Sequence, residues 1–376
     1  MQQSQKKNNK TDTNKPLVIV TTGGSGGHIF PAESISEALL EKGFRVAFIT
    51  DKRGGAFHSL PRVETYRLAA ESVARRSVFH KLFAVFKLFV GGVQGIHLMY
   101  KLKPSLVVGV GGYASFPAVI AAQVCRIPVV LHEQNAVLGR ANRVLASGAK
   151  MIVTSFSPTL MLPEKIPHIR VGMPARPQIR ERENTVYSTD NETIKLLIFG
   201  GSQGATFFSR RFPEVLAKLP RELQEKIVIT QQSRPEDIGF LEDFYQNIPF
   251  KKVTISSFFD NMPDLLTQAH LVISRGGAST ITELEVIGRP AMIVPLPTAA
   301  DNHQMENARQ FCDDGAGWLL NEKTFDADKT ALRLKELLET PDALQTAAAQ
   351  AYKRSKPNAA LETAEIISDI IKGKKQ

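Results

Sequence analysis

The chain alternates short β-rich runs with helix-like segments, and the alternation starts again halfway along. In the first half, apolar and β-branched runs predict buried strands at residues 17–20, 46–49, 106–108, 128–131 and 151–153. Helix-like segments lie between them, for example at residues 32–40 and 116–124. Strands and helices that alternate in this way need crossover connections, so the pattern predicts a doubly wound parallel α/β sheet.

The second half repeats this pattern after a polar stretch at residues 180–192. Its predicted strands are residues 194–199, 227–229, 253–255, 271–273 and 292–294. A chain of 376 residues also exceeds the size that one hydrophobic core usually reaches. We therefore expect two α/β domains. The full predicted organisation is a disordered tail at 1–15, domains at 16–175 and 194–342, a linker at 176–193, and C-terminal helices at 343–376.

Composition restricts the function only coarsely. The formal net charge of +10 suits phosphorylated ligands, nucleic acid or an anionic membrane surface, and does not choose among them. Cys125 and Cys312 lie far apart without metal-ligand spacing, which fits a reducing cytosol. The polar start of the chain predicts no secretory signal. Charged and polar residues interrupt the most apolar region, residues 79–100, so no membrane-spanning helix is expected.

Three glycine clusters follow predicted strands and precede predicted helices, at residues 23–28 (GGSGGH), 200–204 (GGSQG) and 275–280 (RGGAST). Glycine lets the backbone approach a ligand closely, and the next helix offers free N–H groups at the positive end of its dipole. One such cluster is equally well explained as a tight turn, but three at strand ends favour phosphate binding. Neither the P-loop pattern nor the dinucleotide pattern fits, because no lysine follows a cluster and Ile29 stands where glycine is needed.

His28 lies at the predicted start of the first helix. The helix dipole lowers the pKa of an imidazole there, which suits a general base near neutral pH, whereas a bound diphosphate opposes that effect. The alternative is a histidine that braces the loop through hydrogen bonds. These residues alone leave the two interpretations open.

Six sequence blocks occur in an order found in one family. They are residues 23–31 (GGSGGHIFP), 109–117 (GVGGYASFP), 132–139 (HEQNAVLG), 200–205 (GGSQGA), 274–283 (SRGGASTITE) and 301–308 (DNHQMENA). In these blocks the chain resembles the MurG-type UDP-N-acetylglucosamine transferases over nearly its whole length. Each block is weakly diagnostic by itself, and the ordered set is highly specific.

The resemblance implies the GT-B fold, with two Rossmann-like domains that face a cleft and a final helix that crosses back to the first domain. It implies inverting transfer of N-acetylglucosamine from UDP-N-acetylglucosamine to the C4 hydroxyl of undecaprenyl-diphospho-N-acetylmuramoyl-pentapeptide, a step of peptidoglycan synthesis. The donor is expected mainly on the second domain and the lipid acceptor at the glycine loop of the first.

The implied location is the cytoplasmic face of the bacterial inner membrane, as a peripheral protein. The implied partners are an anionic membrane surface and other cell-wall synthesis proteins, with no nucleic acid and no cofactor.

In the first half, the resemblance assigns the glycine loop Ser25, Gly26 and Gly27 to the sugar and diphosphate, and His28 to the role of base. Asn135 matches a contact to the donor sugar; the alternative is an asparagine that serves a turn. Arg176 matches a donor contact at the edge between the domains; the alternative is a solvated arginine.

In the second half, Ser202 matches a diphosphate contact and Phe259 a position whose backbone holds the uracil. Gln304 matches a contact to the sugar hydroxyls. The nucleotide-binding segment comprises Ala278, Ser279, Thr280, Ile281, Thr282 and Glu283, with the Glu283 carboxylate on the ribose.

Helix capping offers an alternative for three of these residues. Ser202 has the chemistry of an N-cap, and both Thr280 to Glu283 and Asp301 to Gln304 have the spacing of a capping box. Without the resemblance, capping is the favoured interpretation of Glu283 and Gln304.

Two positions depart from the family pattern. Thr298 stands where many members have histidine, and Met173 where many have asparagine. Both departures put substrate contacts in doubt and leave the predicted fold unaffected.

An acidic Asp-x-Asp pattern, which many metal-dependent glycosyltransferases use to bind UDP, occurs at Asp326 and Asp328. It opens a predicted helix outside the glycine turns, where acidic residues are ordinary. We therefore interpret it as structural and expect backbone N–H groups and a helix dipole to stabilise the leaving group.

A basic and aromatic segment at residues 75–89 predicts a helix with one apolar stripe. The stripe and its basic flanks are Phe79, Leu82, Phe83 and Phe86, with Lys81 and Lys87. One interpretation is an amphipathic helix packed on the core; the other is a helix that lies in an anionic membrane interface.

Two further functions compete with the transferase. A UDP-N-acetylglucosamine 2-epimerase would use the same architecture but leaves the block at residues 109–117 and the apolar stripe unexplained. A non-catalytic module that binds anionic lipid or RNA leaves the glycine turns unexplained, and the chain lacks the pattern of a recognised RNA module.

Overall fold

A computed structural model describes residues 15–23, 26–51, 60, 63–71, 78–188, 192–200 and 206–374, without the side chains of residues 26 and 78–82. The predicted tail up to residue 14 lies outside the described residues, as do Ser25, Ser202 and the side chains of Phe79, Lys81 and Leu82.

The described strands are all parallel and form two sheets. In chain order they are β1 (Leu17–Thr21), β2 (Arg45–Thr50), β3 (Glu64–Arg67), β4 (Leu106–Gly109), β5 (Val129–Glu133), β6 (Met151–Thr154), β7 (His168–Arg170), β8 (Ile194–Phe199), β9 (Ile227–Gln232), β10 (Lys252–Ser256), β11 (Leu271–Ser274), β12 (Ala291–Ile293) and β13 (Gly317–Leu319).

Helices connect nearly all of these strands. They are α1 (Gly26–Glu41), α2 (Val78–Leu102), α3 (Phe116–Val124), α4 (Arg140–Leu145), α5 (Pro177–Arg180), α6 (Thr206–Arg210), α7 (Phe212–Ala217), α8 (Arg221–Gln224), α9 (Pro235–Tyr245), α10 (Met262–Gln268), α11 (Ala278–Ile287), α12 (His303–Asp313), α13 (Ala327–Leu338), α14 (Pro341–Lys353) and α15 (Ala359–Ile371).

The chain divides into two compact units, each built around one sheet. Unit 1 comprises residues 1–176 and 358–376, and unit 2 comprises residues 177–357. The strand orders are β3-β2-β1-β4-β5-β6-β7 in unit 1 and β10-β9-β8-β11-β12-β13 in unit 2. In each unit the first three strands extend the sheet to one side of the first strand, and the later strands are added on its other side. This is the arrangement of a doubly wound Rossmann-like sheet. The predicted fold class is confirmed.

The predicted interior strands are all present, whereas three short strands were missed. The missed strands are β3, β7 and β13, which form sheet edges. Edge strands are short and half-solvated, so β3 (ETYR) and β7 (HIR) expose most of their residues and lack the apolar run that identifies a buried strand.

The C-terminal helices, predicted as one group at 343–376 that crosses back to the first domain, belong to different units. Helix α14 lies in unit 2, where Gly288 of α11's C-cap comes close to Tyr352. Helix α15 belongs to unit 1, because Ala360, Ala364 and Ile367 are buried in the core that also contains residues of α1.

The polar stretch predicted as a linker is fixed to unit 2 over its described part. It begins with helix α5, and Arg182 then donates two hydrogen bonds to Asp264, at 2.6 and 2.9 Å. The Tyr187 hydroxyl donates to the carbonyl of His270 at 2.8 Å. The polar composition of this stretch suggested a linker, but composition does not show which side chains form hydrogen bonds with a domain.

Candidate functional site

Each sheet reverses its strand order between two neighbouring strands, β1 and β4 in unit 1 and β8 and β11 in unit 2. Loops that leave the carboxyl ends of such strands diverge and leave a crevice where ligands bind in doubly wound folds. The three predicted glycine turns follow β1, β8 and β11. Of these, the turn after β8 lies outside the described residues beyond Gly200, and the turn after β1 is described except for residues 24 and 25.

In unit 1, glycines from two loops touch each other. The N–H of Gly23 donates to the Gly111 carbonyl at 3.1 Å, and a Cβ on Gly112 would come 3.0 Å from the Gly23 Cα. Gly111 and Gly112 also have φ angles of +88° and +80°, which favour glycine. Glycine is therefore required here both by conformation and by contact.

The imidazole of His28 lies against this glycine pair. Its Nδ1 is 3.1 Å from the Val110 carbonyl oxygen, which can only accept, so Nδ1 carries the proton and donates. In the neutral ring, Nε2 is then the basic nitrogen. The Gln134 amide donates to the same carbonyl at 2.7 Å. The structure thus supplies the bracing hydrogen bond and, with it, the tautomer that a general base requires.

Behind this loop, His132 is fully buried at the end of β5. Its Nε2 donates to the Gly172 carbonyl at 3.3 Å. Burial lowers the pKa of His132 to about 4, against the opposing effect of the Gly172 hydrogen bond, and the charge of His28 lowers it further. His132 is therefore neutral at physiological pH.

The buried carboxylate of Glu133 organises the loop that carries Asn135. It accepts hydrogen bonds from the backbone N–H groups of Asn135 at 3.0 Å and Gly139 at 2.8 Å, and from the side-chain amide of Asn142 at 2.9 Å. The Asn135 amide also donates to Glu133, at 3.3 Å. Asn135 therefore does take part in the turn, as the alternative interpretation expects, and these hydrogen bonds hold it in place next to Gln134.

Arg176, the last residue of unit 1, is half-buried and lies close to helix α1. Its guanidinium stacks on the ring of Phe30 at 5.2 Å. The Ser34 hydroxyl donates to the carbonyl of the preceding Ala175 at 3.3 Å, which ties this part of the chain to α1. The structure therefore brings Arg176 to the same helix as Gly27 and His28. Met173 is buried, with 3% of its surface exposed, so its side chain packs inside unit 1.

In unit 2, the turn after β11 leads into a helix end that no side chain caps. Gly277 is the N-cap of α11, and its extended backbone carries no capping side chain. The first-turn N–H groups of Ala278, Ser279 and Thr280 are therefore available to an anion at the positive end of the helix dipole.

The capping-box interpretation of Glu283 is wrong. The helix begins at Ala278, so Thr280 lies inside its first turn and is not the N-cap that a capping box requires. Ser279, Thr280 and Glu283 are partly exposed, whereas Ile281 and Thr282 are buried on the core side of α11. The side chains of Ile281 and Thr282, both predicted to bind substrate, are thus not presented to a ligand.

Gln304 is also not part of a capping box. The N-cap of α12 is Asn302, in a left-handed conformation and without a side-chain cap. The side-chain oxygen of Gln304 accepts a hydrogen bond from the N–H of Leu296 at 2.9 Å. The side-chain NH₂ group is therefore the part that can donate to a hydroxyl. A Cβ on Gly276 would come 2.5 Å from the Gln304 backbone oxygen, so the glycine lets α12 approach the turn.

A buried arginine anchors the same turn. Arg275 donates to the carbonyls of Val294 at 3.2 Å and Pro295 at 3.4 Å and pairs with Glu322 at 2.5 Å. The Asn307 amide donates to the Gly276 carbonyl at 3.1 Å. Sequence reasoning missed these supporting residues, together with His132, Glu133 and Gln134. Their positions inside the conserved-looking blocks at 132–139, 274–283 and 301–308 were the available signal.

Phe259 lies half-buried in the segment between β10 and α10, and Thr298 is exposed between β12 and α12. The acidic pattern at Asp326 is an N-cap, because its carboxylate accepts from the N–H of Lys329 at 3.0 Å. That hydrogen bond lowers the pKa of Asp326. Asp328 pairs with Lys218 at 2.8 Å. Within the described part of the chain, no cluster of three or more His, Cys, Asp or Glu side chains could hold a metal ion.

Helix α2 has two different faces. Ala84, Gly91, Gly95, Leu98 and Met99 are buried, and a Cβ on Gly95 would come 2.8 Å from Ala121 of α3. The opposite face exposes large apolar side chains. These are Phe83, Phe86, Phe89, Val93 and Tyr100, each with 53% to 70% of its surface exposed.

The length and composition of this helix also satisfy the criteria for a membrane span. Its segment Phe83–Leu102 has a mean hydropathy of 1.3, and 28% of its most apolar 18-residue stretch is buried. This was not expected from the sequence, where charged residues interrupt the region. The predicted basic flank differs as well, because Lys87 pairs with Glu71 at 2.9 Å and stacks on the Phe83 ring.

Comparisons with known proteins cover both units. Residues 18–154 match the glycosyltransferase family 28 N-terminal domain, and residues 195–363 match the glycosyltransferase family 28 C-terminal domain. A UDP-N-acetylglucosamine–N-acetylmuramyl-(pentapeptide) pyrophosphoryl-undecaprenol N-acetylglucosamine transferase of Paramagnetospirillum magneticum is 42% identical, over 96% of this chain and 98% of the relative. The protein of the same name from Agrobacterium fabrum is 36% identical, over 96% of each chain.

Solved structures show the same fold. The crystal structure of Acinetobacter baumannii MurG superposes with a TM-score of 0.78 at 26% identity, over 94% of this chain and 100% of the other. A Listeria monocytogenes UDP-N-acetylglucosamine 2-epimerase has a TM-score of 0.68 at 12% identity, over 96% and 98% of the two chains. At that identity the second likeness concerns the fold alone.

Proposed function

This chain belongs to glycosyltransferase family 28 and, within it, to the MurG family, and on that premise we propose how its residues perform the transfer. The reaction moves N-acetylglucosamine from UDP-N-acetylglucosamine to the C4 hydroxyl of undecaprenyl-diphospho-N-acetylmuramoyl-pentapeptide, with inversion at the anomeric carbon. Relatives of this name at 36–42% identity over nearly the full chain support this assignment. An epimerase is not favoured, because the likeness to that class is limited to the fold.

We assign the acceptor to the glycine loop of unit 1. The C4 hydroxyl attacks the anomeric carbon, and Nε2 of His28 accepts its proton. The single observation that carries this role is the hydrogen bond from His28 Nδ1 to the Val110 carbonyl, which leaves Nε2 as the basic nitrogen. The position near the start of α1 further favours the neutral ring. Gly26, Gly27 and the undescribed Ser25 are proposed to surround the sugar and diphosphate.

We assign the donor to unit 2. As the bond from the anomeric carbon to the β-phosphate oxygen breaks, negative charge develops on the diphosphate. The uncapped N–H groups at the start of α11 are suited to stabilise it, because preorganised donors need no rearrangement as charge develops. Ser279 and Thr280 flank these groups, and Ser202 is proposed to contribute from the turn after β8.

Five further residues are proposed to recognise the rest of the donor. The partly exposed Glu283 carboxylate lies on the same face of α11 as Ser279 and suits the ribose hydroxyls. The backbone at Phe259 is assigned to the uracil. The Gln304 NH₂ group is assigned to the sugar hydroxyls, and Asn135 and Arg176 of unit 1 are proposed as further donor contacts.

The reaction assignment is tested with purified protein and labelled UDP-N-acetylglucosamine, with and without the lipid-diphospho-muramyl acceptor. Transfer that depends on the acceptor is the expected result. Epimerised sugar formed without acceptor would support the isomerase instead, and the absence of chemistry with either substrate would support a binding module.

The exposed face of α2 is proposed to place the enzyme on the cytoplasmic surface of an anionic membrane. Phe86, Phe89 and Val93 lie on one side of the helix at helical spacing, and Ala84 and Gly91 lie on the buried side. A helix with one face in the core and large apolar groups on the other is suited to lie in the interface. Because the acceptor is linked to a lipid, this placement brings the enzyme to the surface where its acceptor lies.

A vesicle experiment tests this placement. The double variant Phe86→Ser/Phe89→Ser is expected to reduce sedimentation with anionic phospholipid vesicles by about tenfold, because two exposed aromatic side chains no longer insert into the apolar part of the membrane interface. Leu332→Ser on α13, at 60% exposure against 62% for Phe86, is the matched control. Equal vesicle binding by both variants would refute the proposal.

A further inference from the structure

The first three strands of unit 2 have one face in the core and one face that no helix fully covers. On the core face, residues such as Leu196, Ile229 and Val253 pack in the main cluster of unit 2. The opposite face of β8, β9 and β10 carries two cross-strand rows set by the register. The rows are Lys195, Val228 and Lys252, and Leu197, Thr230 and Thr254. We call these six residues the β8–β10 face.

The composition of this face is unusual for a doubly wound sheet. Parallel strands that are buried on both sides are apolar on both sides, whereas this face carries lysine and threonine side chains. Lys252 is exposed, and Lys195, Val228, Thr230 and Thr254 are half-buried. Helix α10, at seven residues, borders the face without covering it.

A cavity of about 400 Å³ lies over the β8–β10 face. It is bounded on one side by Leu265 of α10 and by Phe259 and Asn261 of the preceding segment. Its size falls within the range of small-molecule sites, which begins at about 300 Å³. All of its lining residues belong to unit 2.

The charge of the cavity is of one sign. Lys195 and Lys252 flank Val228 on either side, about 10 Å apart across two strand spacings, so both flexible side chains can reach one anionic group. Among the described residues, neither lysine forms a salt bridge, and no carboxylate lines the cavity. An uncompensated pair of ammonium groups beside apolar surface attracts an anion.

We propose that the β8–β10 face binds a small amphipathic anion, a carboxylate or phosphate carried on a compact apolar body. Lys195 and Lys252 hold the charged group. The hydroxyls of Thr230 and Thr254 supply hydrogen bonds beside it, and the apolar body packs against Leu265 and Phe259.

Occupation of this cavity raises the affinity for the UDP part of the donor. This consequence rests on the proposed role of Phe259. The Phe259 side chain lines the cavity, while its backbone is assigned to the uracil. A ligand that packs on the side chain restrains the segment between β10 and α10 before UDP binds. Because the anion has already ordered this segment, UDP does not have to supply the free energy for ordering it and binds several-fold more tightly. By linkage, UDP raises the affinity for the anion by the same factor.

The binding site is tested by calorimetric titration of the full chain with 1-naphthyl phosphate, 1-naphthoate and neutral 1-naphthol. Both anions are expected to bind at least about tenfold more tightly than 1-naphthol, and the phosphate and carboxylate arms show which head group is preferred. The double variant Lys195→Glu/Lys252→Glu should lose at least about tenfold in affinity for the anions. Lys226→Glu, at an exposed lysine before β9 and with the same charge change per residue, is the control.

A second variant keeps the test independent of charge reversal and its effects on folding. Thr230→Leu fills the cavity without a change in charge and should also abolish binding. Equal affinities for the three probes, or anion binding that survives both Lys195→Glu/Lys252→Glu and Thr230→Leu, would overturn the site.

The link to the donor has its own readout. UDP affinity is measured with and without saturating 1-naphthyl phosphate, and an unchanged value refutes the coupling. If the protein fails to bind UDP at all, the proposed function fails, while the naphthyl titration still decides the site.

Discussion

The two described glycine turns begin alike and finish differently. The turn after β1 and the turn after β11 each lead from a buried strand into a helix. In unit 1 the glycines bring two loops together and leave room for the His28 ring against Gly111. In unit 2 Gly276 lets α12 approach, and Gly277 leaves the start of α11 without a side-chain cap.

The difference shows what a glycine-rich turn can supply. In unit 1 the missing side chains make space for the imidazole of His28, whose tautomer is set by the Val110 carbonyl. In unit 2 they leave backbone N–H groups and a helix dipole for an anion. One turn is thus suited to proton transfer and the other to charge stabilisation, and the predictions below test this division.

The largest effect is expected from His28→Ala. Loss of the general base should lower kcat by about 10²- to 10⁴-fold, while UDP affinity stays within about twofold because UDP is assigned to unit 2. Turnover with the lipid acceptor and a UDP titration give the two values. His168→Ala, an exposed histidine on edge strand β7, is the control. Retained turnover in His28→Ala would leave only the bracing role.

Glu283→Ala should have the opposite profile. Loss of hydrogen bonds to a charged acceptor, worth about 1.5–3 kcal/mol, should weaken UDP binding by about 10- to 100-fold. Glu336→Ala, in an exposed ion pair with Arg333 on α13, should leave UDP affinity unchanged. If UDP affinity is equal in the two variants, the nucleotide does not contact Glu283.

The pH dependence of stability should belong to unit 1. The pKa of His132 is about 4 in the folded chain, against 6.5 for an unperturbed histidine such as that of the unfolded chain. Between these two pH values the unfolded chain binds the proton and the folded chain does not. The stabilisation is therefore complete above pH 6.5 and is lost as the pH falls. From pH 7 to pH 5 this loss amounts to about 2 kcal/mol.

Denaturant titrations of the native chain and of His132→Gln at pH 7, 6 and 5 measure this effect. The variant should lose about 2 kcal/mol less over the same range. Parallel pH profiles for the two proteins would show that His132 is not the group responsible.

The smallest effect separates the two reasons for glycine in unit 1. Gly111 and Gly43 have nearly equal φ angles, +88° and +85°, so either glycine-to-alanine change should cost about 1–2 kcal/mol. At Gly111 the new Cβ would also lie 3.2 Å from the His28 ring, whereas Gly43 has no neighbour within 4 Å. Only Gly111→Ala should therefore lower kcat, by about tenfold. Equal turnover in the two variants would show that Gly111 does not position His28.

Much of the fold followed from local patterns, and some of it did not. The interior strands were predictable because they are continuous apolar runs, as in β4 (LVVG). The edge strand β7 was missed because its residues are mostly exposed. The periodicity of α14 and α15 does not by itself reveal which unit each helix joins, because the two patterns are similar and differ in the core that buries them.

The site was predictable in outline. The glycine turns, His28 and Asn135 were visible as residue types in a recognisable order. The capping alternative for Glu283 failed because the spacing of Thr280 and Glu283 does not reveal where the helix begins. The supporting residues Glu133 and Arg275 were missed, because a buried charge looks like any other charge until its partners are known.

The sequence by itself determined the alternation of strands and helices, the positions of the glycine turns, and the family. These depend on periodicity and on short ordered blocks, which are local properties of the chain. Only the tertiary structure decided which nitrogen of His28 carries the proton and which is left basic, since the Val110 carbonyl lies 82 residues away. It also decided that one face of β8, β9 and β10 stays open, because burial depends on which helix packs over a strand and how far that helix extends.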